Sequence, residues 1–128
     1  MQLASGRKES TEVFGNDYDT VDGTGVRDYI HVSDLATANV KALDYLSQNK
    51  KCLTLNLATG EGYSVIEVIK KAEEISGKNI TYDIVKRRPG DPAKLVATSK
   101  LAFDLLDWVP KYSSLETLLN SMWNIYKK

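Results

Sequence analysis

Residues 53–84 read LTLNLATGEGYSVIEVIKKAEEISGKNITYDI, and this stretch decides the fold class. Leucines alternate with polar residues over residues 53–57, a pattern that predicts a strand. Ser64 and Glu67 have the spacing of a capping box, in which each side chain binds the other's backbone N–H, so a helix is predicted to follow. A second alternation over residues 80–84 predicts another strand. Strand, helix and strand in succession indicate a mixed α/β domain.

The central helix is predicted to run to about Ser76 and to stop at Gly77. Outside the central stretch, the predicted elements are extended segments at residues 11–14 and 26–32, a helix from a Ser33 cap to Leu46, an extended piece at residues 95–97, a helix near residues 99–107 and a last helix opened by a Ser113–Glu116 capping box. On the helix after Ser33, the apolar residues Leu35, Val40, Leu43 and Leu46 fall on one stripe. Alternating strands and helices lie in the middle of the chain.

Composition excludes several classes of protein. The chain has 128 residues, 42% of them apolar, which suits one domain with one core. Lys plus Arg and Asp plus Glu both total 17, so a nucleic-acid binder that works through a broad basic surface is not expected. No apolar run approaches the roughly 20 residues that span a bilayer, so no membrane partner is predicted. Cys52 is the one cysteine, which favours a reducing, cytoplasmic location.

For three motifs, a structural interpretation is favoured over a functional one. Gly60–Gly62 follows a predicted strand as a dinucleotide loop does, but its glutamate would repel phosphate and Val65 replaces the third glycine, so a structural turn is preferred. Tyr82 and Lys86 have the Tyr-x-x-x-Lys spacing of short-chain dehydrogenases, yet they fall in a predicted strand rather than on a helix. His31, the single histidine, is interpreted as a hydrogen-bonded structural residue.

Two segments that contain arginine carry the binding signal. Guanidinium groups bind phosphate oxygens bidentately, and Arg27 together with the Arg87–Arg88 pair would match the charge of a diphosphate without a metal. Neighbouring side chains alternate in an extended segment, so only one of Arg87 and Arg88 should face a shared pocket. The alternative is a pair of weak surface contacts, Arg27 with Asp28 or Arg88 with Asp91. Spacing alone leaves the two interpretations equally open.

At these segments the sequence resembles the C-terminal portion of the UDP-glucose 4-epimerases, which are extended short-chain dehydrogenases. The matching segments are VFGNDY at residues 13–18, DGTGVRDYIHV at 22–32, residues 56–57 with 60–65, RRPGDPA at 87–93, and LLDW at 105–108 with PKY at 110–112. The resemblance implies a small mixed α/β substrate-binding domain without the N-terminal Rossmann domain. Residues 1–128 would form a single C-terminal UDP-sugar-binding domain.

The resemblance also implies a set of substrate-binding residues and no catalytic, cofactor-binding or metal-binding ones. The residues so implied are Glu12, Val13 and Phe14 for the uracil, Arg27 and Arg88 for the phosphates, Asp91 for the ribose and Leu95 for the sugar pocket. Leucine at the last position is intermediate in bulk, which leaves acceptance of an N-acetyl sugar open.

Family members interconvert UDP-glucose and UDP-galactose, a reaction of galactose metabolism, by oxidising the sugar at C4 with NAD and returning the hydride to the other face. The glycine-rich NAD loop and the Tyr-x-x-x-Lys helix of the family have no counterpart in this sequence. We therefore expect the chain to bind UDP-sugar but no NAD, and to have no epimerase activity alone. Two alternatives stay open: a non-catalytic module that pairs in trans with a cofactor domain, and part of an epimerase for UDP-glucuronate or UDP-N-acetylglucosamine.

The resemblance predicts unsatisfied surfaces as well. In the family, the strand that matches residues 53–57 pairs with the N-terminal sheet, and the helix from Ser33 to Leu46 packs nearby. Without the N-terminal NAD-binding domain as partner, a strand edge and an apolar helix face would be exposed. We therefore expect the chain to self-associate as a dimer or a domain-swapped assembly.

Overall fold

The computed structural model describes residues 1–128, and the mixed α/β class is confirmed. Five short strands and four helices make up the fold. In chain order they are β1 (Thr11–Phe14), β2 (Val26–Arg27), α1 (Val32–Asn49), β3 (Tyr63–Ser64), α2 (Val65–Ser76), β4 (Tyr82–Val85), β5 (Lys94–Leu95), α3 (Lys100–Leu106) and α4 (Leu115–Tyr126).

The strands form two small sheets. In the first, β1 pairs with β4 in parallel, and Phe14 lies opposite Val85 at the end of the ladder. In the second, β2 lies between β3, which is antiparallel to it, and β5, which is parallel. The predicted extended segment at residues 26–32 is shorter than expected, because only Val26–Arg27 has strand partners. Parallel pairing brings the carboxyl ends of β1 and β4 to the same edge, where the loops that follow them meet.

The capping box of α2 is confirmed. The Ser64 hydroxyl accepts a hydrogen bond from the Glu67 N–H at 3.0 Å, and the Ser64 N–H donates to Glu67 Oε2 at 2.6 Å. Gly77 ends the helix with a φ of 66°, a left-handed conformation that glycine adopts without steric cost. The bounds of α2 therefore match the prediction at both ends.

Helix α1 begins differently from the prediction. Its N-cap is His31, whose Nδ1 accepts from the Ser33 N–H at 3.1 Å, so Ser33 lies inside the first turn and does not cap it. His31 Nε2 also lies 3.0 Å from the Ser121 hydroxyl on α4. The histidine therefore has the structural role that was favoured, and it joins the start of α1 to α4.

Asp34 connects α1 to the segment that precedes α4. Its side chain is 1% exposed, and its carboxylate accepts from the Lys111 N–H at 2.9 Å, the Tyr112 N–H at 2.8 Å and the Ser113 hydroxyl at 2.6 Å. The Ser113 hydroxyl oxygen also accepts from the His31 N–H at 2.9 Å, whereas the Thr117 N–H of the first turn of α4 donates to the Ser114 hydroxyl at 3.2 Å. Ser114 is the N-cap instead, so the predicted Ser113–Glu116 capping box is wrong.

The predicted strand at residues 53–57 is not formed. Residues 51–58 make no backbone–backbone hydrogen bond with any part of the chain. The three leucines of this segment line an apolar groove against Ala38 and Ala42 of α1 and Leu106 of α3. The alternating pattern correctly indicates a face to be buried, but a strand also needs a neighbour to complete its ladder.

Two apolar clusters make up the core. The first joins β1, α2 and α4, and consists of Ala4, Val13, Ile69, Ala72, Ile80, Leu115 and Leu119. The second joins α1 and α3, and consists of Ala38, Ala102, Leu106 and Trp108. The Trp108 indole N–H donates to the backbone oxygen of Asp34 at 3.0 Å, so the second cluster is tied to the Asp34 connection.

An apolar face of α1 is exposed, as expected. Val40 and Leu43 are 60% and 66% exposed, and Leu46 is 39% exposed. The helix instead buries Asp34 and Ala38. No helix in the structure combines the length and the apolar character needed to cross a membrane.

The Asp34 connection predicts a pH-dependent stability. Burial raises the pKa of Asp34, but the hydrogen bonds from Ser113, Lys111 and Tyr112 outweigh it, so the pKa lies below its ordinary value. A carboxyl whose pKa is lowered by folding stabilises the protein above the unfolded-state value of about 4, and that contribution is lost as pH falls through the folded-state value. We expect Asp34→Asn to lower the free energy of unfolding by about 2 kcal/mol at pH 7 in urea titrations.

The control is Asp44→Asn, which changes an exposed carboxylate on the same helix. The difference in the free energy of unfolding between wild type and Asp34→Asn should shrink when the urea titrations are repeated below about pH 4. A loss below about 0.5 kcal/mol at pH 7, the range of ordinary surface substitutions, would contradict the role given to Asp34.

Candidate functional site

One cavity collects six of the seven predicted substrate-binding residues. It has a volume of about 220 Å³ and is lined by Glu12, Val13, Phe14, Gly25, Arg27, Val65, Arg88 and Asp91. Strand β1 supplies the first three residues, β2 supplies Arg27, and the loop after β4 supplies Arg88 and Asp91. The seventh residue, Leu95, lies opposite Arg27 in the β2–β5 ladder but does not line the cavity, and it is 61% exposed.

Arg27 is held in the cavity wall by two contacts. One terminal nitrogen donates to the backbone oxygen of Val26 at 2.7 Å, and the other forms an ion pair with the Asp91 carboxylate. Both side chains are partly buried, at 24% and 29% exposed. Neither alternative surface pair is present: Asp28 instead accepts hydrogen bonds from the Thr59 N–H, the Thr59 hydroxyl and the Gly60 N–H.

The two neighbouring arginines point to opposite sides, as the extended geometry predicts. The Arg88 guanidinium carbon lies 3.8 Å from the centre of the Phe14 ring, inside the cavity. The Arg87 guanidinium lies outside it, 4.0 Å above the Tyr18 ring, and Arg87 Nε donates to Asp17 Oδ1 at 2.6 Å. The hydrogen bond from Arg87 holds the pKa of Asp17 below its ordinary value. One arginine of the pair therefore belongs to the cavity and the other to the loop beside it.

The free edge of β1 offers backbone groups to a ligand. The Thr11 N–H donates to the backbone oxygen of Thr81, just before β4. The Gly15 N–H donates to the backbone oxygen of Val85, the last residue of β4. Because hydrogen-bonding direction alternates along a parallel ladder, the N–H and C=O groups of Glu12 and Phe14 point away from β4. No third strand lies on that side of β1. The edge therefore presents donors and acceptors in alternation, the pattern needed to bind a planar base.

The Tyr-x-x-x-Lys pair and the Gly60–Gly62 turn make structural contacts. Tyr82 lies in β4, and Lys86 follows that strand, so the two are not on one helical face. Gly62 packs against β2 and the chain after β5, because a Cβ at this position would lie 2.6 Å from carbons of Val26 and Val96. Glu61 accepts a hydrogen bond from the Tyr63 hydroxyl at 3.0 Å. These contacts are those of a structural turn.

Sequence reasoning missed the residues that support the cavity from outside. Asp17 and Tyr18 hold Arg87, while the Asp22 carboxylate accepts from the Ser64 hydroxyl and from the N–H and hydroxyl of Thr24. Asp22 thereby fixes the start of α2 beside Gly25. The Asp17–Arg87 contact spans 70 positions. The alternating directions of the Arg87 and Arg88 side chains could have indicated this contact, because the arginine that points away from the cavity also needs a partner.

The residues that line the other cavities indicate no particular ligand. The largest of these, about 360 Å³ beside Trp108, contains two aspartates and two lysines whose charges balance, and Lys41 already donates to the Leu106 backbone oxygen at 3.1 Å. Nowhere in residues 1–128 do three or more His, Cys, Asp or Glu side chains come together as a metal site. The cavity at the ends of β1 and β4 is therefore the candidate site.

The fold is that of a nucleotide-sugar-modifying family. The sequence profile of the family described as GDP-mannose 4,6 dehydratase matches residues 1–122, so the chain belongs to that family. Within it, the resemblance to UDP-glucose 4-epimerases is confirmed. The UDP-glucose 4-epimerase of Halalkalibacterium halodurans is 44% identical over 128 residues, which cover 100% of this chain and 38% of the relative.

Solved structures agree with the sequence comparison. A UDP-glucose 4-epimerase from Stenotrophomonas maltophila, with bound NAD and formylated UDP-arabinopyranose, has a TM-score of 0.92 and 43% identity over 98% of this chain and 37% of its own. The enzyme of Bifidobacterium longum in complex with NAD⁺ and UDP has a TM-score of 0.84 and 38% identity over 99% of this chain and 39% of its own. The chain thus spans little more than a third of the length of the relatives it matches.

Proposed function

We propose that residues 1–128 form a single UDP-sugar-binding domain, the substrate-binding portion of a UDP-glucose 4-epimerase that interconverts UDP-glucose and UDP-galactose. The observation that carries the proposal is that Arg27 of β2 and Arg88 of the loop after β4, far apart in the sequence, line one cavity at the free edge of β1. The relatives from Stenotrophomonas maltophila and Bifidobacterium longum bind UDP or a UDP-sugar, which supports the same ligand class.

The diphosphate is the part of the ligand that the charges fit best. A guanidinium has five N–H donors, so Arg27 keeps donors for a phosphate while it is paired with Asp91. Arg88 has no ion pair, and its planar group is stacked on Phe14. Charge-assisted hydrogen bonds of this kind are worth about 1.5 to 3 kcal/mol each. Two such groups match a diphosphate by local charge, although the net charge of the chain is zero.

The remaining residues have proposed roles that follow from their positions. The free backbone groups of Glu12 and Phe14, on either side of Val13 in β1, would bind the edge of the uracil. Asp91 lines the same cavity, and its carboxylate would accept from the ribose hydroxyls. Leu95 lies opposite Arg27 on the neighbouring strand β5 and would contact the sugar. A substrate panel on the complete enzyme would separate UDP-glucose from the N-acetyl and glucuronate sugars.

The cofactor is proposed to be bound by the rest of the enzyme. Relatives in the family contain NAD, whereas Tyr82 and Lys86 of this chain lie in and after a strand. We therefore expect no epimerase activity from the chain alone, and NAD-dependent turnover by the purified chain would refute this part. A cytoplasmic location is proposed from the single cysteine, Cys52, which is exposed and free.

Calorimetry with UDP tests the binding role. We expect Arg27→Ala and Arg88→Ala each to weaken UDP binding by at least tenfold, because each removes a charge-assisted contact to phosphate. Binding of uridine, which lacks the phosphates, should change little. Arg7→Ala is the matched control, since Arg7 lies over the Tyr126 ring and outside the cavity.

The opposite result is easy to recognise. If wild-type protein gives no heat with UDP at millimolar concentration, the binding role fails, and an inert fragment of the enzyme fold is left. If UDP binds but the two cavity variants behave like Arg7→Ala, the ligand occupies another site.

The unpaired segment at residues 51–58 supports a second proposal, that of a partner. Its backbone groups have no protein partner, and its leucines lie beside the exposed apolar face of α1. We propose that the N-terminal NAD-binding domain of the enzyme covers this surface, in cis or in trans. In its absence, a second copy of the chain would pair with the segment, because a free strand edge is a template for association.

If the chain associates through this segment, light scattering at high concentration should detect a dimer. Leu55→Pro should shift the protein to monomer, since proline removes a backbone donor from the middle of the segment. Leu55→Val is the control, because valine keeps the N–H and the apolar character. A clean monomer for wild-type protein, or a dimer that survives Leu55→Pro, would contradict association through this edge.

A further inference from the structure

Two loops lie beside the candidate site, and one side chain joins them. The β1–β4 ladder ends where the Gly15 N–H donates to the Val85 oxygen at 2.8 Å. Beyond that bond the chains separate into residues 15–20 and residues 86–91. The hydrogen bonds between these two loops all come from Arg87. Arg87 therefore ties the loop that carries Arg88 into the cavity to the loop after β1, while the ion pair of Asp91 with Arg27 ties the same loop to β2.

Arg87 makes a three-part contact with the loop after β1. Its Nε donates to Asp17 Oδ1 at 2.6 Å, a terminal nitrogen donates to the Asp17 backbone oxygen, and the guanidinium carbon lies 4.0 Å from the centre of the Tyr18 ring. Tyr18 is itself buried, at 6% exposed. The contact therefore rests on a fixed platform, although Arg87 is partly exposed.

Gly15 makes this contact possible. Its φ is +85°, and a Cβ there would lie 2.6 Å from Arg87 Cγ and 2.8 Å from Tyr18 Cε2. Both distances are far below van der Waals separation, so the aliphatic part of Arg87 and the Tyr18 ring pack directly against the glycine. The geometry of the turn after β1 is thus matched to the arginine that crosses it.

The next residues of the same loop face the cavity. Arg88 lies over Phe14 at 3.8 Å, and Asp91 pairs with Arg27. Arg87 does not line the cavity. We propose that Arg87 is a positioning residue: by fixing residues 86–91 to Asp17 and Tyr18, it holds Arg88 over Phe14 and preorganises the cavity for a nucleoside diphosphate. The ligand in this proposal rests on the proposed function, but the ordering of Arg88 does not.

The physical reason is the entropy of a long side chain on a loop. An arginine that is free before binding loses rotamer freedom when it contacts phosphate, whereas one that is already ordered loses little. Removal of the anchor should therefore weaken UDP binding by about fivefold without removing any group that touches the ligand. The effect should be smaller than that of Arg88→Ala, which removes the phosphate contact itself.

The test compares Arg87→Gln and Asp17→Asn, which remove the two sides of the ion pair, with Lys86→Gln as the control. Lys86 lies on the same loop and is exposed, so Lys86→Gln makes the same change of charge as Arg87→Gln. The ¹⁵N–¹H heteronuclear NOE of the Arg88 Nε–H reports the order of that side chain without ligand. Calorimetry reports the affinity for UDP, and thermal unfolding shows that each variant folds.

We expect Arg87→Gln to lower the Arg88 NOE and to weaken UDP binding by about fivefold. Asp17→Asn should do both to a smaller extent, because the backbone oxygen of residue 17 and the Tyr18 ring still contact Arg87, and Lys86→Gln should change neither. The double variant should bind UDP no more weakly than Arg87→Gln alone, because Arg87→Gln already removes the whole contact. Asp17→Asn keeps the test valid if Arg87→Gln does not fold.

An unchanged Arg88 NOE together with unchanged UDP affinity in both variants would overturn the proposal, as would additive losses in the double variant. If wild-type protein does not bind UDP, the proposed function fails. The NOE of Arg88 in the variants then still decides whether Arg87 positions it.

Discussion

The parallel pairing of β1 with β4 is the interaction on which the site depends. It opposes Val13 to Ile84 and Phe14 to Val85, and it brings the loops after both strands to one edge. A slip of one residue would turn Val13, now 1% exposed, out of the core and would point Arg88 away from Phe14. The register that buries the core therefore also places the residues that line the cavity.

Local charge rather than net charge distinguishes the candidate site. The chain has equal numbers of acidic and basic residues, yet the cavity gathers Arg27 and Arg88, with Asp91 pairing with one of them. A second polar connection, Asp34 with the N–H groups of residues 111 and 112 and the Ser113 hydroxyl, joins α1 to α4 at a distance from the cavity. Buried carboxylates with complete sets of donors fix loops that apolar packing would leave mobile.

Local patterns could be predicted, and contacts between distant residues could not. The α2 capping box joins residues three apart, so its spacing is visible in the sequence. The Arg27–Asp91 pair spans 64 positions and the Asp34–Ser113 bond spans 79, and nothing local distinguishes them from other charged or hydroxyl residues. This is why Ser113 was predicted as a cap. The prediction of a strand at residues 53–57 was wrong for a related reason, because an alternating pattern shows which face is buried but not whether a partner strand exists.

The central claim is that this chain binds the uridine diphosphate half of a substrate and leaves the cofactor to the rest of the enzyme. Amide chemical shifts of the ¹⁵N-labelled chain, recorded with UDP and separately with NAD, test it most directly. We expect UDP to shift the amides of residues 12–14, 27, 88, 90 and 91, and NAD at equal concentration to leave them in place. Shifts that map to the groove beside α1, or larger shifts with NAD than with UDP, would contradict it.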